Sequence, residues 1–374
     1  MAKRGVGIIG CGNISAAYLR LAPMFRAIEV KAVADINMEA AKARAEEFGV
    51  RAETVDGLLA ADDVEIVVNL TIPAAHFEVS ARVLEAGKHV YSEKPFVLSL
   101  EEGAELKRLA EPKGLRIGSA PDTFMGGAHQ QARALIDDGT VGRVTSGTAF
   151  VMSHGMEHWH PNPDFFFLPG AGPVLDIGPY YVTNLVQLLG PVTRVAALTA
   201  TPATERTILS EPRKGERIPV KTPTTIHALL HFSNGAVISM CTSWDVWGHG
   251  HKPMELYGTE ASLDVPDPNF FGGDLTLTKA NTPAEIVTPW DHPFGVANQD
   301  TRANYRTAGL ADMAQAIDEK RAHRCSMELA LHAVEVMTGV LKSGESGAFV
   351  EMTTTCERPA ALDPAAAREL LASA

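Results

Sequence analysis

The chain has 374 residues, a length that accommodates two domains with sizeable cores. Its formal net charge of -12 argues against nucleic-acid and anionic-membrane partners, because both favour a basic face. No apolar run approaches the ~20 residues of a membrane span. The four cysteines lie far apart and never form a CxxC pair, which argues against a disulfide framework and a zinc site and favours a cytoplasmic protein with reduced thiols.

Residues 1–121 alternate between short apolar runs and helix-forming stretches, which predicts an α/β domain. The N-terminal MAKRGVGIIGCG has no long apolar segment, so we interpret it as the first strand and not a signal peptide. Strands that alternate with helices are typical of a doubly wound parallel sheet, the α/β Rossmann class. The predicted strands are 5–9, 29–34, 65–71, 89–93 and 116–120, and the predicted helices are 38–49, 74–87 and 99–111.

The first strand is followed by the turn GCGNIS, with Gly10 and Gly12 as its two glycines. Glycines at these positions allow a tight turn and a close approach of the backbone to a pyrophosphate, and the next helix begins at Asn13 and Ile14. The third glycine of the usual dinucleotide fingerprint is Ser15, so a plain glycine turn stays open as an alternative. Its position between a strand and a helix favours the cofactor interpretation.

The second predicted strand ends in Asp35, about 25 residues after the glycine turn. An acid there accepts hydrogen bonds from the adenosine ribose hydroxyls and repels a 2′-phosphate. No arginine precedes Arg44 in this region. The sequence therefore favours NAD over NADP, with an ordinary acid at a strand end as the alternative.

A further turn with polar residues follows the predicted strand that ends at residue 71. Thr71, Pro73 and His76 come where the carboxyl edge of the sheet would face a cofactor. The alternative for Pro73 is helix capping alone, and for His76 a structural histidine.

Residues 122–374 have a different pattern and are predicted to form an α+β domain on an open, mainly antiparallel sheet. TIHALLHF, the turn at Asn234-Gly235 and AVISMCTS indicate a hairpin. A second pair of strands is predicted within 253–265, and two amphipathic helices within 305–320 and 326–344.

A polar aromatic loop contains His154, His158, Trp159 and His160. An indole face covers sugar C–H groups and imidazoles bond hydroxyls, so these residues are candidate carbohydrate contacts. The spacing does not place the histidines on one helix face, which argues against a metal site. A solvated surface loop remains the alternative.

The segment GAGPVLDIGPYY predicts a helix that begins near residues 176–178, because proline is tolerated only in the first helical turn. Asp176 and Tyr180 lie four residues apart and share a polar stripe with Asn184 and Gln187. The alternatives are a capping acid for Asp176 and a half-buried aromatic for Tyr180.

Three motifs together resemble one known family: GCGNIS, then SEKP about 80 residues later, then GAGPVLDIGPYY. The chain is similar, from Gly5 to about Val350, to the glucose-fructose oxidoreductase, inositol dehydrogenase and rhizopine catabolism (Gfo/Idh/MocA) family. The resemblance implies an NAD(P)-binding Rossmann domain and a second domain whose open sheet backs the substrate cleft and mediates homodimers or homotetramers. It places the family's motif lysine at Lys94 and its acid at Asp176.

The resemblance also extends to neighbouring positions. Tyr180 occupies a position that is histidine in many members and tyrosine in some branches, and Thr183 stands where many members have another Asp. Glu93 beside the motif lysine is a candidate cofactor contact. APDTF (120–124) departs from the family's usual run here, and Asp122 within it is a candidate substrate contact.

These residues suggest transfer of hydride between NAD and a secondary alcohol or ketone of a sugar, polyol or glycoside. Lys94 would bond the reacting hydroxyl, Tyr180 would exchange its proton, and Asp176 would orient the substrate or Lys94. Three alternatives stay open: an NAD-dependent glycosidase that uses transient oxidation, a non-catalytic cofactor-binding regulator, and a metal-dependent enzyme. The geometry of the Lys94-Pro95 bond, cis or trans, is not decided by the sequence.

Overall fold

A computed structural model describes residues 3–372, which cluster into two compact units. Among the helices of these residues, none combines the length and the apolar character that a membrane span requires. All four cysteines are buried and carry free thiols. The first unit comprises 3–127, 290–334 and 359–372, and the second comprises 128–289 and 335–358.

The first stretch of the chain forms a parallel sheet of six strands in the order β3-β2-β1-β4-β5-β6. This order reverses between β1 and β4, and such switch points are where doubly wound sheets bind ligands. The predicted α/β Rossmann class is confirmed. Its elements are β1 (Arg4–Ile9), α1 (Asn13–Leu21), β2 (Ile28–Ala34), α2 (Met38–Phe48), β3 (Arg51–Glu53), α3 (Val55–Ala60), β4 (Ile66–Asn69), α4 (His76–Glu85), β5 (His89–Ser92), α5 (Leu100–Ala110) and β6 (Ile117–Ser119).

Local sequence explains most of these boundaries. The side chain of Ser99 accepts a hydrogen bond from the Glu102 amide at the start of α5, and Gly49 ends α2 in a left-handed conformation. The sequence missed β3 and α3, because a three-residue strand at the sheet edge has too short an apolar pattern to detect.

The second unit is built on a nine-stranded sheet in the order β16-β15-β14-β13-β7-β12-β11-β8-β17. Its pairs are antiparallel except β7 with β12, so the predicted mainly antiparallel sheet is confirmed. In chain order the elements from residue 127 onward are α6 (Gly127–Asp137), β7 (Val144–Met152), α7 (Pro173–Asp176), α8 (Gly178–Leu189), β8 (Val192–Ala200), β9 (Glu205–Thr207), β10 (Arg217–Pro219), β11 (Thr225–Phe232), β12 (Val237–Ser243), β13 (Met254–Gly258), β14 (Ala261–Val265), β15 (Thr276–Lys279) and β16 (Glu285–Ile286).

The predicted hairpin is β11 and β12, with Thr225 paired to Ser243. Its turn has Gly235 at φ 88°, and the side chain of Asn234 accepts a hydrogen bond from the Ala236 amide. A left-handed glycine and a turn asparagine are what this geometry requires.

The last stretch contains α9 (Ala308–Glu319), α10 (Met327–Ser346), β17 (Val350–Glu351) and α11 (Pro364–Leu370). Helices α9 and α11 fall in the first unit, whereas β17 extends the sheet of the second unit. The compact units therefore alternate along the chain. The sequence predicts one boundary between residues 121 and 122, and that boundary stays a prediction about the domains.

Candidate active site

The turn between β1 and α1 has the backbone that its glycines predict. Gly10 has φ 106°, and a Cβ there would lie 2.6 Å from the Leu70 carbonyl oxygen. Gly12 is exposed, and a Cβ built on it would meet no atom within 4 Å. Ser15 donates from its hydroxyl to the Gly12 carbonyl at 2.6 Å, so it fits in place of the third glycine. The turn is thus open on the side where a pyrophosphate would approach.

Asp35 holds this turn from the end of β2. One carboxylate oxygen accepts the Cys11 amide at 2.7 Å, and the other accepts the Asn37 amide at 2.8 Å. Each oxygen keeps a further lone pair, and the side chain is half-buried, so ribose hydroxyls can still donate to it. Asn13 and Ile14 form the first residues of α1, where backbone amides point outward. These groups fit a dinucleotide.

Arg44 lies closer to the turn than its sequence position suggested. Its guanidinium donates to the Gly12 carbonyl at 3.3 Å and also pairs with Glu47 at 2.5 Å. Helix α2 begins shortly after Asp35, and its second turn directs this side chain back toward the glycines. The distance of Arg44 from the glycines along the chain does not reveal this contact, because the pitch of α2 brings the side chain back.

Asn69 at the end of β4 organises the next turn, and the sequence analysis overlooked it. Its amide group donates to the His76 carbonyl and to the Ser80 hydroxyl, both at 3.0 Å. Its oxygen accepts from the Thr71 amide at 3.2 Å and the Thr71 hydroxyl at 2.6 Å. Asn69 is fully buried and uses both ends of its side chain. The sequence did offer one indication of this function, since Asn69 is a polar residue at the end of the apolar strand β4.

His76 is buried and joins two turns of the first unit. Its Nδ1 lies 2.7 Å from the Pro95 carbonyl oxygen, and its Nε2 lies 3.0 Å from the Thr71 carbonyl oxygen. Burial lowers the pKa of the imidazole, while the two carbonyls oppose that shift. This geometry gives His76 a structural function, and a cofactor contact stays a prediction for it and for the exposed Pro73.

Lys94 follows β5 directly, and its backbone is fixed on both sides. The Lys94-Pro95 bond is cis. Glu93 accepts the Lys94 amide at 3.0 Å with one oxygen and the Tyr18 hydroxyl at 2.9 Å with the other. Because β5 is a buried interior strand, its carboxyl end delivers Lys94 to the ligand-binding edge of the sheet. Lys94 itself is half-buried.

Asp122 lies deep inside the first unit, with 1% of its surface exposed. One carboxylate oxygen accepts the amides of Thr307 and Gly309 at 2.9 and 3.0 Å, at the start of α9. Burial raises the pKa of Asp122 to about 6, and those amides oppose the shift. The contacts describe a helix-capping acid, and the substrate contact stays a prediction.

Asp176 and Tyr180 lie in the second unit on two consecutive helices. The single predicted helix is divided, because Ile177 separates α7 from α8 and Pro179 lies in the first turn of α8. Asp176, at the end of α7, is half-buried, and Tyr180 is 6% exposed.

The polar stripe predicted beyond Tyr180 is buried. Asn184 donates to Nδ1 of His129 at 3.2 Å, and Gln187 donates to the Asn184 oxygen at 3.0 Å. Nε2 of His129 lies 2.8 Å from the Phe270 carbonyl oxygen, and burial lowers the pKa of this imidazole to about 4. Asn184 and Gln187 therefore stabilise the packing of the second unit, which their place on a polar stripe does not reveal.

The polar aromatic loop follows β7. His154 stacks on Trp247 with ring centroids 3.4 Å apart, and His160 packs edge-on against Phe166. His158 is exposed, and Trp159 is 58% exposed. Across residues 3–372, no group of three or more His, Cys, Asp or Glu side chains is arranged to hold a metal ion. Carbohydrate contact stays a prediction for the four loop residues.

Known proteins resemble the chain in both units. The family model for an oxidoreductase family with an NAD-binding Rossmann fold matches residues 4–120. The model for the GFO/IDH/MocA C-terminal domain matches residues 129–264.

Among curated relatives, levoglucosan dehydrogenase of Pseudarthrobacter phenanthrenivorans is 29% identical over 293 residues, which span 70% of this chain and 73% of that protein. The dTDP-3,4-didehydro-2,6-dideoxy-alpha-D-glucose 3-reductase of Streptomyces violaceoruber is 34% identical over 196 residues, or 51% of this chain and 56% of that protein.

Among solved structures, levoglucosan dehydrogenase in complex with NADH and levoglucosan superimposes with a TM-score of 0.79 at 23% identity, covering 94% of this chain and all of that chain. This likeness shows the shared fold. Because both of its domains match models of the same family, the chain belongs to the GFO/IDH/MocA family of NAD-binding oxidoreductases.

Proposed function

We propose that the protein transfers a hydride between NAD and a secondary alcohol or ketone of a sugar, polyol or glycoside. The observation that carries the proposal is the fixed Lys94 turn at the carboxyl end of β5, in a sheet whose first turn fits a dinucleotide. Two relatives support a carbohydrate substrate, since one is named a levoglucosan dehydrogenase and the other a reductase of a dTDP-linked sugar.

Each candidate residue has one task in this reaction. The nicotinamide, when bound, supplies the hydride acceptor for oxidation and the donor for reduction. The Lys94 ammonium donates a hydrogen bond to the reacting oxygen and stabilises its negative charge. Tyr180 takes the hydroxyl proton during oxidation and returns it during reduction. Asp176 accepts a hydrogen bond from a neighbouring substrate hydroxyl and so orients the ring.

The backbone contacts around Lys94 explain how its side chain is aimed. Glu93 and His76 bind the two residues of the Lys94-Pro95 turn, and Tyr18 holds Glu93 in turn. A lysine has four rotatable side-chain bonds, so a fixed backbone reduces the range of positions that its ammonium group can occupy.

The reaction is tested by NADH formation with aldoses, inositols, anhydrosugars and glycosides, with NADP⁺ in parallel. Lys94→Ala is expected to lower kcat roughly a thousandfold, because it removes the group that stabilises the reacting oxygen. NADH binding, followed by fluorescence titration, should stay unchanged.

Lys107→Ala is the matched control, since Lys107 is an exposed lysine of the same unit. Normal turnover in Lys94→Ala would overturn the assignment of Lys94. Release of a sugar from a glycoside without net NADH would instead indicate a glycosidase that uses transient oxidation.

The open sheet of the second unit supports a further part of the proposal, assembly with a second copy of the chain. Leu198, Leu229 and Phe349 are 75%, 48% and 64% exposed and line one hollow of about 440 Å³. Exposed apolar groups gathered on one face are typical of interaction surfaces. Sedimentation velocity should show a dimer or tetramer that Leu198→Glu dissociates, and a monomeric native protein would contradict this assembly.

A further inference from the structure

A cleft of about 750 Å³ lies entirely within the second unit. Asp176 and Tyr180 are not among the residues that line it. Its volume is in the range of small-molecule sites in proteins. The lining side chains that bear on its chemistry are His154, Glu157, His158, Arg206, Trp247 and His249.

The base of the cleft is a buried ion pair with one oxygen left over. Arg206 donates to Oε1 of Glu157 at 3.1 Å, to the Trp244 carbonyl at 3.0 Å and to Asp245. Arg206 and Glu157 are 8% and 4% exposed. Within the described residues, Oε2 of Glu157 has no hydrogen-bond partner. That oxygen is buried against Gly155, 2.2 Å from the position of a Cβ on that glycine, so Glu157 fixes the Arg206 side chain from below and is not itself exposed to the cleft.

One wall of the cleft is an exposed tryptophan held in place by stacking. Trp247 is 84% exposed, although its ring lies parallel to His154 with centroids 3.4 Å apart. A rigid indole that faces solvent is suited to the C–H face of a sugar ring. His158 and His249 add exposed imidazoles that can bond hydroxyl groups.

The charged side chains that line the cleft already have partners of opposite charge. Arg206 is its one lining Arg or Lys side chain among the described residues, and Glu157 and Asp245 already pair with it. Glu205 adds a further carboxylate to the lining. A phosphate or carboxylate ligand would have to compete with these acids for Arg206, whereas a neutral polyol would meet imidazoles and an aromatic face.

The cleft and α7 share a supporting segment within the second unit. Asp245 accepts the Thr224 hydroxyl at 2.8 Å. Two residues earlier, Thr222 lies 3.1 Å from the position of a Cβ on Gly172, which caps the start of α7. Helix α7 ends at Asp176. The segment 222–224 therefore bonds to Asp245 of the ion pair through Thr224 and to Ala171, just before α7, through Thr222.

We infer that this cleft binds a neutral sugar ring other than the ring that is oxidised, so that the substrate is a glycoside or oligosaccharide. The inference rests on the proposed function and specifies its substrate class. The ring's C–H face would pack on Trp247, and its hydroxyls would bond to the exposed imidazoles of His158 and His249. No bond is made or broken in the cleft.

The test is isothermal titration of the full chain without cofactor, using cellobiose and maltose as probes and glucose as the matched monosaccharide. A disaccharide should bind about tenfold more tightly than glucose, and Trp247→Ala should remove that difference because the stacking platform is lost. His158→Ala, which removes an exposed imidazole of the lining, should weaken disaccharide binding as well. Ile286→Ala, which removes an exposed apolar side chain outside the cleft, should leave affinity unchanged.

Several outcomes would overturn the inference. They are a disaccharide that binds no more tightly than glucose, unchanged disaccharide affinity in Trp247→Ala, and loss of a dimer in that variant, which would assign the cleft to a second copy. NADH formation separates this failure from that of the reaction. Disaccharide binding that depends on Trp247, without formation of NADH, would overturn only the proposed reaction. NADH formation from monosaccharides, with no effect of Trp247→Ala, would overturn only the sugar-binding role of the cleft.

Discussion

The candidate cofactor turns of the first unit and the cleft of the second unit hold their polar side chains in different ways. In the first unit, Asp35, Glu93 and His76 bond mainly to backbone groups of neighbouring turns. In the second unit, Arg206 pairs with Glu157 and Asp245 through side chains that are 49 and 39 residues away in sequence. Backbone groups exist at every position, whereas a side-chain partner must be supplied by another segment.

This difference determines how a substitution acts in each unit. A side chain that bonds to backbone shapes a local turn, and its loss changes what the turn binds. A side chain that neutralises distant charges leaves those charges buried when it is removed, so its loss is felt in stability. Three substitutions test this contrast, in decreasing order of expected effect.

Arg206→Met should give the largest effect, a fall of about 3 kcal/mol in the free energy of unfolding, because Glu157 and Asp245 would remain without their cation. Urea unfolding followed by tryptophan fluorescence measures it. Arg213→Met is the matched control, since Arg213 pairs with Asp164 in the same unit but is 28% exposed.

The control should change stability by less than about 1 kcal/mol, the usual value of an exposed pair. Equal losses of unfolding free energy in the two variants would show that a buried ion pair is no more costly to break here than an exposed one. That result would contradict the contrast between the units.

His129 provides a pH test of the same contrast. Burial lowers the pKa of this imidazole to about 4, from about 6.5 in an unfolded chain. The neutral ring accepts from Asn184 and donates to the Phe270 carbonyl, an arrangement that a protonated ring would disrupt. A depressed pKa stabilises the fold above pH 6.5, and that stabilisation is lost as the pH falls toward 4.

His129→Gln should therefore remove about 2.5 kcal/mol from the pH dependence of the free energy of unfolding between pH 6.5 and 4. The measurement is urea unfolding of both proteins at several pH values in that window. The difference between their slopes is independent of any constant loss of stability in the variant. Parallel curves would show that His129 does not carry this dependence.

The contrast also explains how much the sequence could predict. Local patterns predicted the Rossmann strands and the hairpin at Asn234-Gly235, because each depends on a few adjacent residues. The turn around Gly10 followed from a motif in the same way.

The features that the sequence missed all depend on contacts between distant segments or on helix geometry. The sequence assigns Asn184 and Gln187 to a polar stripe, but it does not show that both bond to His129 in the interior. The spacing of residues along the chain does not indicate that Glu157 pairs with Arg206. Arg44 bonds to Gly12 because the pitch of α2 brings its side chain back toward the glycine turn. Periodicity reports which residues share a face, but it does not report what covers that face.

Asp35→Ser gives the smallest and most local effect of the three. It removes the carboxylate that repels a 2′-phosphate, and Arg44 beside Gly12 offers a cation to attract one. The ratio of kcat/KM for NAD to that for NADP should fall about tenfold, equivalent to about 1.4 kcal/mol, while the free energy of unfolding changes little.

Asp56→Ser removes an exposed carboxylate of the same unit and should leave the cofactor ratio unchanged. Loss of stability in Asp35→Ser without a change in that ratio would mean that Asp35 serves only its bonds to Cys11 and Asn37. Arg44 would then be the next residue to test. Its guanidinium pairs with Glu47 and with the Gly12 carbonyl, so it can bind a phosphate only if Glu47 releases it. Combining Asp35→Ser with Glu47→Gln separates the two contributions, since additive changes in the ratio would indicate that the carboxylates act independently.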